Sequence, residues 1–426
     1  YTVDVKFPAS RDQYDEYQAI ANVEPLPGNP TPIYQISRAA AAPAFLINPD
    51  LSAPFRGTNF SNRGVAWRDQ NLRNPYVMNW NASVQYEFTR NYLLEFSYQG
   101  SSGVGLIERW NINTFPVDFA NGNAALQSQV FAASQNYRPF NHFGDINMRS
   151  NFGHSSFHSG TVKLEKRLSD GMFFNTFYTF SKCINSQDTD NAGGGVAPIQ
   201  DRSLEKARCG YDRSHRFIGT INYELPFGKG KRFMNSGVLG WIASGLEISW
   251  IQTMETGNPL NFSFANSPYN YYPGFAGSRR PDIVGNPVHD NSTWDNGGPD
   301  RFTQQNRPAV IDINAFAWPG GCGNVTTAVN PAGCNFRVGN AGRNIITGPG
   351  LLWSQVSAQK NFYLGERWNA QLRWDFQNVF KTFNFTGPTT AVDFRNPRTF
   401  GKYGDDPRTA SLGGQPLMNL TLMIRF

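Results

Sequence analysis

The sequence predicts an all-β protein, an antiparallel transmembrane β-barrel with long extracellular loops. Three observations lead to this prediction: apolar and polar residues alternate in short segments, connections alternate between short and long, and the composition is aromatic but poor in charge. Of 426 residues, 14% are aromatic and 16% are charged, whereas about 25% of a typical globular domain is charged. With 41 Gly and 27 Pro, this composition suits many strands joined by turn-rich loops.

The mean hydropathy of −0.47 is compatible with a barrel, although it is too low for a bundle of membrane helices. No segment approaches the ~20 consecutive apolar residues of a transmembrane helix, but a barrel strand needs only about ten residues, alternately facing lipid. The net charge of +6 is spread thinly along the chain, which disfavours nucleic-acid binding. Tyr1 opens a polar segment instead of a signal peptide, so we expect either a mature chain or a fragment.

Alternation with a period of two is the mark of a half-buried strand. It is clear in the first hairpin, where Trp80, Val84 and Phe88 share one face and polar residues occupy the other. The same pattern predicts nine or ten strands. Nine are placed at about residues 80–88, 94–99, 156–168, 172–181, 217–225, 246–256, 353–362, 368–377 and 418–426.

Alternation alone does not separate a membrane barrel from a soluble β-sandwich, but loop lengths do. Short turns at 89–91, 169–171 and 365–367 alternate with long connections at about 104–154, 184–214, 265–352 and 381–416. Outer-membrane barrels have short periplasmic turns and long outer loops. Aromatic residues near strand ends, where an interfacial girdle lies, point the same way; they are Trp80, Phe88, Trp353, Trp368, Phe380 and Phe426.

The C-terminal segment resembles a barrel-closing strand, with Leu420, Leu422, Ile424 and Phe426 on one face. If Phe426 ends at the periplasmic side, every short turn lies there and every long loop lies outside. We therefore assign residues 1–78 to an extracellular loop region with room for a strand, and residues 79–426 to the C-terminal strands of the barrel.

Several segments together resemble the Oar-like TonB-dependent receptors, which carry a carboxypeptidase-regulatory-like N-terminal domain. The resemblance covers about residues 70–426 and depends on an ordered series of motifs. These are NPYVMNWNASVQYEF (74–88), YLLEFSYQGSSG (92–103), LEKRLSDGMFFNTFYTFSK (164–182), YDRSHRFIGTINYELPFGKGKRF (211–233), GRNIITGPG (342–350), QLRWDFQNVFKTFNF (371–385) and Phe426.

The resemblance implies a barrel of about 22 strands, filled by an N-terminal plug and driven by the TonB inner-membrane complex. Nine or ten strands are too few for such a barrel, and no segment resembles a plug, a TonB box or a regulatory-like domain. An odd number of antiparallel strands also cannot close a barrel with both termini in the periplasm. We therefore expect a fragment, or one chain of a multi-chain assembly.

The four cysteines form two local pairs, Cys183 with Cys209 and Cys322 with Cys334. Neither pair has the CxxC spacing of a zinc or redox site. Both fall in polar segments between strands, so we predict two loop-closing disulfides in an oxidising compartment. The alternative is four unpaired thiols.

No enzyme motif of the GxSxG, HExxH or P-loop type occurs, and we predict that the chain is not an enzyme. His215 with Asp188, Asp190 and Asp212 is a candidate acid–base group; the alternative is that His215 has a structural role at the start of a strand. Oxygen-rich loops suit Ca²⁺, and solvated turns are the alternative. The calcium candidates are Asp188, Asp190, Asp290, Asp295 and Asp300.

Charged and polar residues on the lumen face are predicted to pair with each other or with a plug. They are Gln85, Glu87, Glu95, Lys163, Glu165, Glu224, Arg373, Asp375 and Arg425. The run Lys229, Lys231, Arg232 would lie at a periplasmic turn, either solvated or against lipid head groups. Outer-loop aromatic residues are candidates for ligand contact or for ordinary packing; they are Tyr269, Tyr271, Tyr272, Phe275 and Trp294.

The leading hypothesis is an outer-membrane transporter barrel of a Gram-negative bacterium, taking up an unidentified nutrient. Its expected partners are outer-membrane lipid, the barrel-assembly machinery, a plug or the remaining barrel strands, and the TonB complex. The second hypothesis is a structural or surface-interaction barrel protein acting as a subunit of a larger assembly. The third is a secreted, soluble β-sandwich.

Overall fold

The computed structural model describes residues 65–116, 118–141, 143–188, 203, 205–265, 280–288, 309–319, 337–364, 368–382, 384–404 and 417–425. Nine long strands form one antiparallel sheet, in agreement with the number predicted. They are β1 (Tyr76–Thr89), β2 (Tyr92–Asn111), β3 (Ile146–Ser169), β4 (Met172–Asn185), β5 (His215–Glu224), β6 (Leu246–Glu255), β7 (Leu351–Leu364), β8 (Trp368–Gln377) and β9 (Leu417–Arg425).

The sheet is a simple meander in which each strand pairs with the next along the chain, from β1 to β9. Two short strands extend it: Val65–Arg68 pairs in parallel with the start of β3, and Ala207–Arg208 pairs with the end of β4. Among the described strands, β1 and β9 do not pair with each other, so the sheet has two edges. These nine strands therefore form part of a barrel wall and do not close it.

One face of the sheet is apolar and exposed. A single cross-strand row runs through seven neighbouring strands without a polar residue: Val84, Phe96, Val162, Tyr178, Phe217, Met254 and Leu352. Val84 is 69% exposed and Leu420, on β9, is 67% exposed. Large apolar side chains can be exposed in this way on a face that meets lipid.

The opposite face is polar. The adjacent row contains Ser83, Ser97, Thr161, Thr179, Arg216 and Glu255. Within it, the hydroxyls of Thr161 and Thr179 are hydrogen-bonded at 2.8 Å. A continuous polar row on the face opposite the lipid is what a barrel lumen requires.

The predicted pairing of lumen charges is confirmed for most of them. Short contacts join Gln85 to Glu95 (3.0 Å), Glu87 to Arg167 (3.1 Å), Lys163 to Glu165 (2.7 Å), Glu224 to Lys231 (2.8 Å) and Arg373 to Asp375 (2.8 Å). The side chain of Arg425 lies outside the described part of the chain. The wall thus neutralises most of these charges by itself.

Turn chemistry explains one of the short connections. Asp170 and Gly171 both have positive φ, at 52° and 74°, between the paired residues Ser169 and Met172. Two central residues with positive φ match the right-handed twist of a tight hairpin, and Asp-Gly is a preferred sequence for them. The predicted turn at 169–171 is therefore confirmed.

The connection between β5 and β6, at the same end of the sheet, is longer. It contains a short helix, α1 (Gly237–Ala243). We assign this end to the periplasm, since short turns characterise the periplasmic side of such barrels. Among the described residues, no helix is long and apolar enough to cross a membrane.

At the other end, β2 and β3 are longer than predicted. The sequence placed residues 104–154 in a loop, but β2 continues to Asn111 and β3 begins at Ile146. Register shifts occur at Val104/Leu106 and Leu106/Glu108, and Gly105 between them has a φ of 63°. This extension has no continuous apolar face because it rises beyond the lipid, so period-two alternation does not mark it.

The remaining elements lie in the outer connections. The helical ones are α2 (Ala124–Ala133) and 3-10 turns at Ser134–Tyr137 and Ile313–Ala315. The short strands pair as Ser263–Phe264 with Ala391–Val392, Asp282–Ile283 with Phe316–Ala317, Pro259–Leu260 with Ile346–Thr347, and Thr386–Pro388 with Tyr403–Gly404. Two of these pairs link the connection before β7 to itself, and one links it to the connection after β8.

The aromatic girdle is confirmed in part. Trp80 lies on the lipid face, where its indole Nε1 donates to Tyr98 Oη at 3.4 Å, and Tyr98 Oη lies 2.7 Å from His158 Nδ1. Phe88 contacts Tyr92 at the periplasmic end. The prediction for Trp353 is wrong, because its register partner Thr253 places it on the polar face.

Two neighbouring positions test the assignment of the faces. We expect Val162→Arg, on the lipid face, to reduce the free energy of unfolding in phospholipid vesicles by about 2–4 kcal/mol. Thr161→Arg, on the polar face, is the control and should cost only about 0.5–1.5 kcal/mol, the contribution of its hydrogen bond to Thr179. Reversible urea unfolding measures both. Equal losses would mean that both faces meet the same medium, as in a soluble sandwich.

Candidate functional site

The outer connections fold into a body of their own, which we call the outer loop body: the described residues of 112–145, 186–214, 256–350 and 378–404. It contains the main hydrophobic core of the described residues. The core residues are Phe115, Ala120, Val130, Phe262, Phe264, Val310, Ile311, Ala315, Phe316, Trp318, Val392 and Phe400. All of them come from connections and none from the nine long strands.

Aromatic rings build the centre of this core. The rings of Phe264 and Trp318 stack with centroids 3.8 Å apart. Phe316 contacts Phe262 at 4.9 Å and Phe400 at 5.6 Å, the latter edge to face. Buried aromatic pairs of this kind add about 0.5–1.5 kcal/mol each beyond their area. They hold the connections before β7 and after β8 together.

A buried cluster of charges joins the outer loop body to the top of the wall. Glu205 and Arg280 form an ion pair, with Arg280 Nη2 3.0 Å from Glu205 Oε1, and both side chains are at most 3% exposed. Arg343 Nε lies 3.8 Å from the same carboxylate, and Arg343 Nη2 donates to the backbone oxygen of Asn185 at 2.9 Å. Asn185 is the last residue of β4. Two connections therefore meet the end of β4 at one buried point, where two arginines face the Glu205 carboxylate.

Asp188 extends the cluster. Its carboxylate forms an ion pair with Arg343, whose Nη1 lies 2.9 Å away, and accepts hydrogen bonds from the backbone N–H of Gly210 at 2.6 Å and from Asn185 Nδ2 at 3.1 Å. Burial raises the pKa of this carboxyl, but the hydrogen bonds from Gly210 and Asn185 and the charge of Arg343 outweigh it, so the pKa lies below its usual range.

The predicted disulfide between Cys183 and Cys209 is present, with a Cα–Cα distance of 5.4 Å. It closes the connection between β4 and β5 beside the charge cluster. Asp212 supports the same connection by accepting from the backbone N–H of Cys183 at 2.9 Å and from Arg208 at 3.0 Å. Cys322 and Cys334 lie outside the described residues, so their pairing stays a prediction.

The acid–base hypothesis for His215 receives no support. His215 Nδ1 lies 2.7 Å from Tyr178 Oη, and the two rings stack on the lipid-facing side of β4 and β5. Asp212 is engaged elsewhere, with Cys183 and Arg208. His215 therefore anchors the start of a strand, which is the alternative that the sequence left open.

The calcium hypothesis stays a prediction. Asp188 is engaged with Arg343, and the other four candidates, Asp190, Asp290, Asp295 and Asp300, lie outside the described residues. Within the described ranges, no group of three or more His, Cys, Asp or Glu could hold a metal ion. A cation competing for Asp188 would have to displace an arginine.

The candidate ligand aromatics Tyr269, Tyr271, Tyr272, Phe275 and Trp294 also lie outside the described residues. Leu420, Leu422 and Ile424 lie on strand β9, pair with β8 and are exposed on the lipid face. Their role in closing a barrel stays a prediction. Phe426 falls outside the described part.

Sequence reasoning missed the three residues that organise the charge cluster, Glu205, Arg280 and Arg343. They are separated by more than 60 positions along the chain, in connections without periodic structure. A charged residue in a polar loop is normally solvated, so no local signal distinguishes these three from the rest.

Comparison with known proteins supports the fold. A family model described as "Outer membrane beta barrel domain" matches residues 7–411. No curated protein matches the chain.

Among solved structures, the chain is similar to the outer membrane transporter YddB from Escherichia coli, at 9% identity and a TM-score of 0.42, covering 86% of this chain and 34% of that one. It is also similar to the FrpB iron transporter from Neisseria meningitidis, at 12% identity and a TM-score of 0.35, covering 85% of this chain and 33% of that one. A third match is the structure of the FpvAI–pyocin S2 complex, at 9% identity and a TM-score of 0.36, covering 84% of this chain and 28% of that one. The chain thus spans about a third of the length of these structures.

Glu205 is the residue through which the charge cluster can be tested. We expect Glu205→Gln to lower the stability of the outer loop body by about 3–5 kcal/mol, since the buried Arg280 loses its countercharge and Arg343 keeps only Asp188. Hydrogen exchange read by mass spectrometry should rise in the outer connections and not in the nine strands. Arg395→Gln breaks a solvent-exposed pair with Asp393 and should cost about 0–1 kcal/mol. Unchanged protection in the Glu205 variant would contradict a structural role of the cluster.

Asp188 makes the same contacts pH-dependent. Because its folded pKa is lowered from 3.8, its contribution is fully present above that value and is lost as pH falls through the lower folded pKa. The stability difference between the wild type and Asp188→Asn should therefore be constant from pH 7 to pH 5 and shrink in strongly acidic solution. Urea titrations of tryptophan fluorescence at several pH values measure it, with Asp118→Asn as the control. A difference that shrinks already near neutral pH would contradict the assignment.

Proposed function

The chain belongs to the outer membrane beta barrel domain family, and we propose that it forms part of the wall of a TonB-dependent transporter that takes up a scarce nutrient. The observation that carries the proposal is the open nine-stranded sheet. About eight strands are enough to close a barrel whose interior is filled by side chains. A sheet that has nine long strands in the described part of the chain, with β1 and β9 not paired to each other there, fits a wider barrel.

Width has a functional consequence. Barrels of about 16–18 strands enclose an aqueous channel, and barrels of about 22 strands hold a plug in their lumen. The polar face described above would line such a lumen. Its charges largely pair within the wall, which leaves the lumen polar but close to neutral along this section. That lining suits passage of a solute or contact with a plug.

The outer loop body would act as the selective entrance. Its apolar core and buried charges give it a defined shape, and binding sites are commonly formed by loops held on a rigid scaffold. The sequence motifs resembling Oar-like receptors support the same assignment. By that resemblance, the proposed partners are a plug or further barrel strands, the TonB complex and the barrel-assembly machinery.

One observation favours the second candidate function, a surface-interaction barrel within a larger assembly. Both edge strands, β1 and β9, present backbone groups to a neighbour, and strands from another chain could pair with them. In this case, the outer loop body would bind a partner protein and no solute would cross.

Uptake by intact cells separates the two functions. Cells with the natural protein and cells of a deletion strain are grown in a defined medium of iron chelates, vitamins and oligosaccharides, and solutes are measured in the medium by mass spectrometry. We expect at least one solute to be depleted only when the protein is present, and a protonophore should abolish the depletion.

The Glu205→Gln variant should reduce this uptake, while Arg395→Gln, matched in surface expression, should not. Depletion that is insensitive to the protonophore would indicate a passive pore. No protein-dependent depletion, together with cross-linking of the outer loop body to a second protein, would support the surface-interaction role instead.

A further inference from the structure

The connection between β5 and β6 has a feature that the barrel wall does not require. Helix α1 exposes four large apolar side chains, at 52–74% of their surface: Val238, Leu239, Trp241 and Ile242. Its two buried residues, Gly240 and Ala243, lie on the other side. A helix in contact with water would not expose this side, so the four side chains need an apolar environment.

The structure shows where the helix lies. Trp241 contacts the ring of Phe362 at 6.2 Å, and Lys360 Nζ donates to the backbone oxygens of Trp241 (3.3 Å) and Ser244. Lys360 and Phe362 belong to the lipid-facing row of β7, as their partners Leu246 and Ala370 show. The helix therefore packs on the lipid side of the wall, at its periplasmic end.

The contacts of Lys360 show how its charge is stabilised on the lipid-facing side of the wall. Its ammonium also lies 5.1 Å from the centre of the Phe362 ring, a cation–π distance. Its donors are directed at carbonyl groups at the C-terminal end of α1, which a helix leaves without intrahelical partners. One side chain thus fixes the helix to the wall at the boundary of the apolar band.

Cationic residues precede the helix. Lys229, Lys231 and Arg232 are all exposed; Lys231 pairs with Glu224 at 2.8 Å, and the Arg232 guanidinium lies 5.4 Å from the centre of the Phe233 ring. A cavity of about 870 Å³ lies between this segment and the periplasmic ends of β5, β6 and β7; Lys229, Lys231, Trp241, Lys360 and Phe362 line it together with Glu224 and Glu247. Cations next to exposed apolar groups at a membrane boundary attract anionic head groups.

We propose that residues 229–243 form an interfacial anchor that binds anionic phospholipid of the periplasmic leaflet. The apolar side of α1 enters the acyl region, and Lys229 and Arg232 contact the phosphate groups. The anchor is continuous with the lipid-facing band of the wall, and the charge of the segment is complementary to such lipids. A periplasmic protein is the competing occupant, and the experiment below distinguishes it.

Native mass spectrometry of the whole protein from nanodiscs of phosphatidylethanolamine and phosphatidylglycerol (3:1) tests the head-group contact. We expect the Lys229→Gln/Arg232→Gln variant to retain at least twofold less phosphatidylglycerol than the wild type. Arg395→Gln/Arg398→Gln, which removes two cations from the outer connections, is the control and should retain the wild-type amount. If both variants retained the same amount of phosphatidylglycerol, the proposed head-group site would be wrong.

Brominated phospholipids test the depth of the helix in the same nanodiscs. The signal of Trp241 is the difference in fluorescence between the wild type and Trp241→Phe, and it should be quenched most by bromine near the head group. The signal of Trp374, on the lipid-facing side of β8, is obtained in the same way from Trp374→Phe and should be quenched most by bromine deep in the acyl chain. Trp241 fluorescence that is insensitive to all brominated lipids would overturn the proposal. If Trp241 were then shielded from water in native membranes but not in nanodiscs, the surface would be assigned to a periplasmic protein.

Discussion

The backbone hydrogen-bond ladder is the constraint on which the rest of the structure depends. Within a bilayer there is no water to satisfy N–H and C=O groups, so each must be bonded inside the protein. The meander from β1 to β9 meets this requirement strand by strand. Because the ladder fixes the period of two, it also determines the side chains: one row faces lipid, and its neighbour faces the lumen.

A wall built in this way cannot contain a core of its own. Its apolar side chains contact lipid, so hydrophobic association between elements must occur elsewhere, and it occurs in the outer loop body around Phe262, Phe264 and Phe316. The outer connections that carry this core are also joined to the wall. The buried group of Glu205, Arg280 and Arg343 fixes them to the end of β4. The cost of desolvating buried charges offsets much of what such a group adds to stability, but the group favours one arrangement of the connections.

The sequence predicted what periodicity and turn chemistry control, and little beyond. Nine strands and the Asp170–Gly171 turn follow from local patterns. The extension of β2 to Asn111 was missed, because outside the lipid no force imposes alternation. The girdle prediction for Trp353 rests only on its position near a strand end, whereas the alternation along β7 places it on the polar face. The charge cluster was not predictable, since its members meet only through the folding of separate connections.

The two edges of the sheet and the helix on its lipid side are related by the same constraint. An edge strand in lipid must pair, so β1 and β9, the edges among the described strands, require neighbours. Because these nine strands are antiparallel, the N-terminal end of β1 and the C-terminal end of β9 lie on opposite sides of the membrane. The connection at α1 faces a milder requirement, since a helix satisfies its own backbone and needs only an apolar surface. Lys360 supplies the remaining hydrogen bonds at the helix end. The wall therefore requires protein at its edges but only lipid at its face.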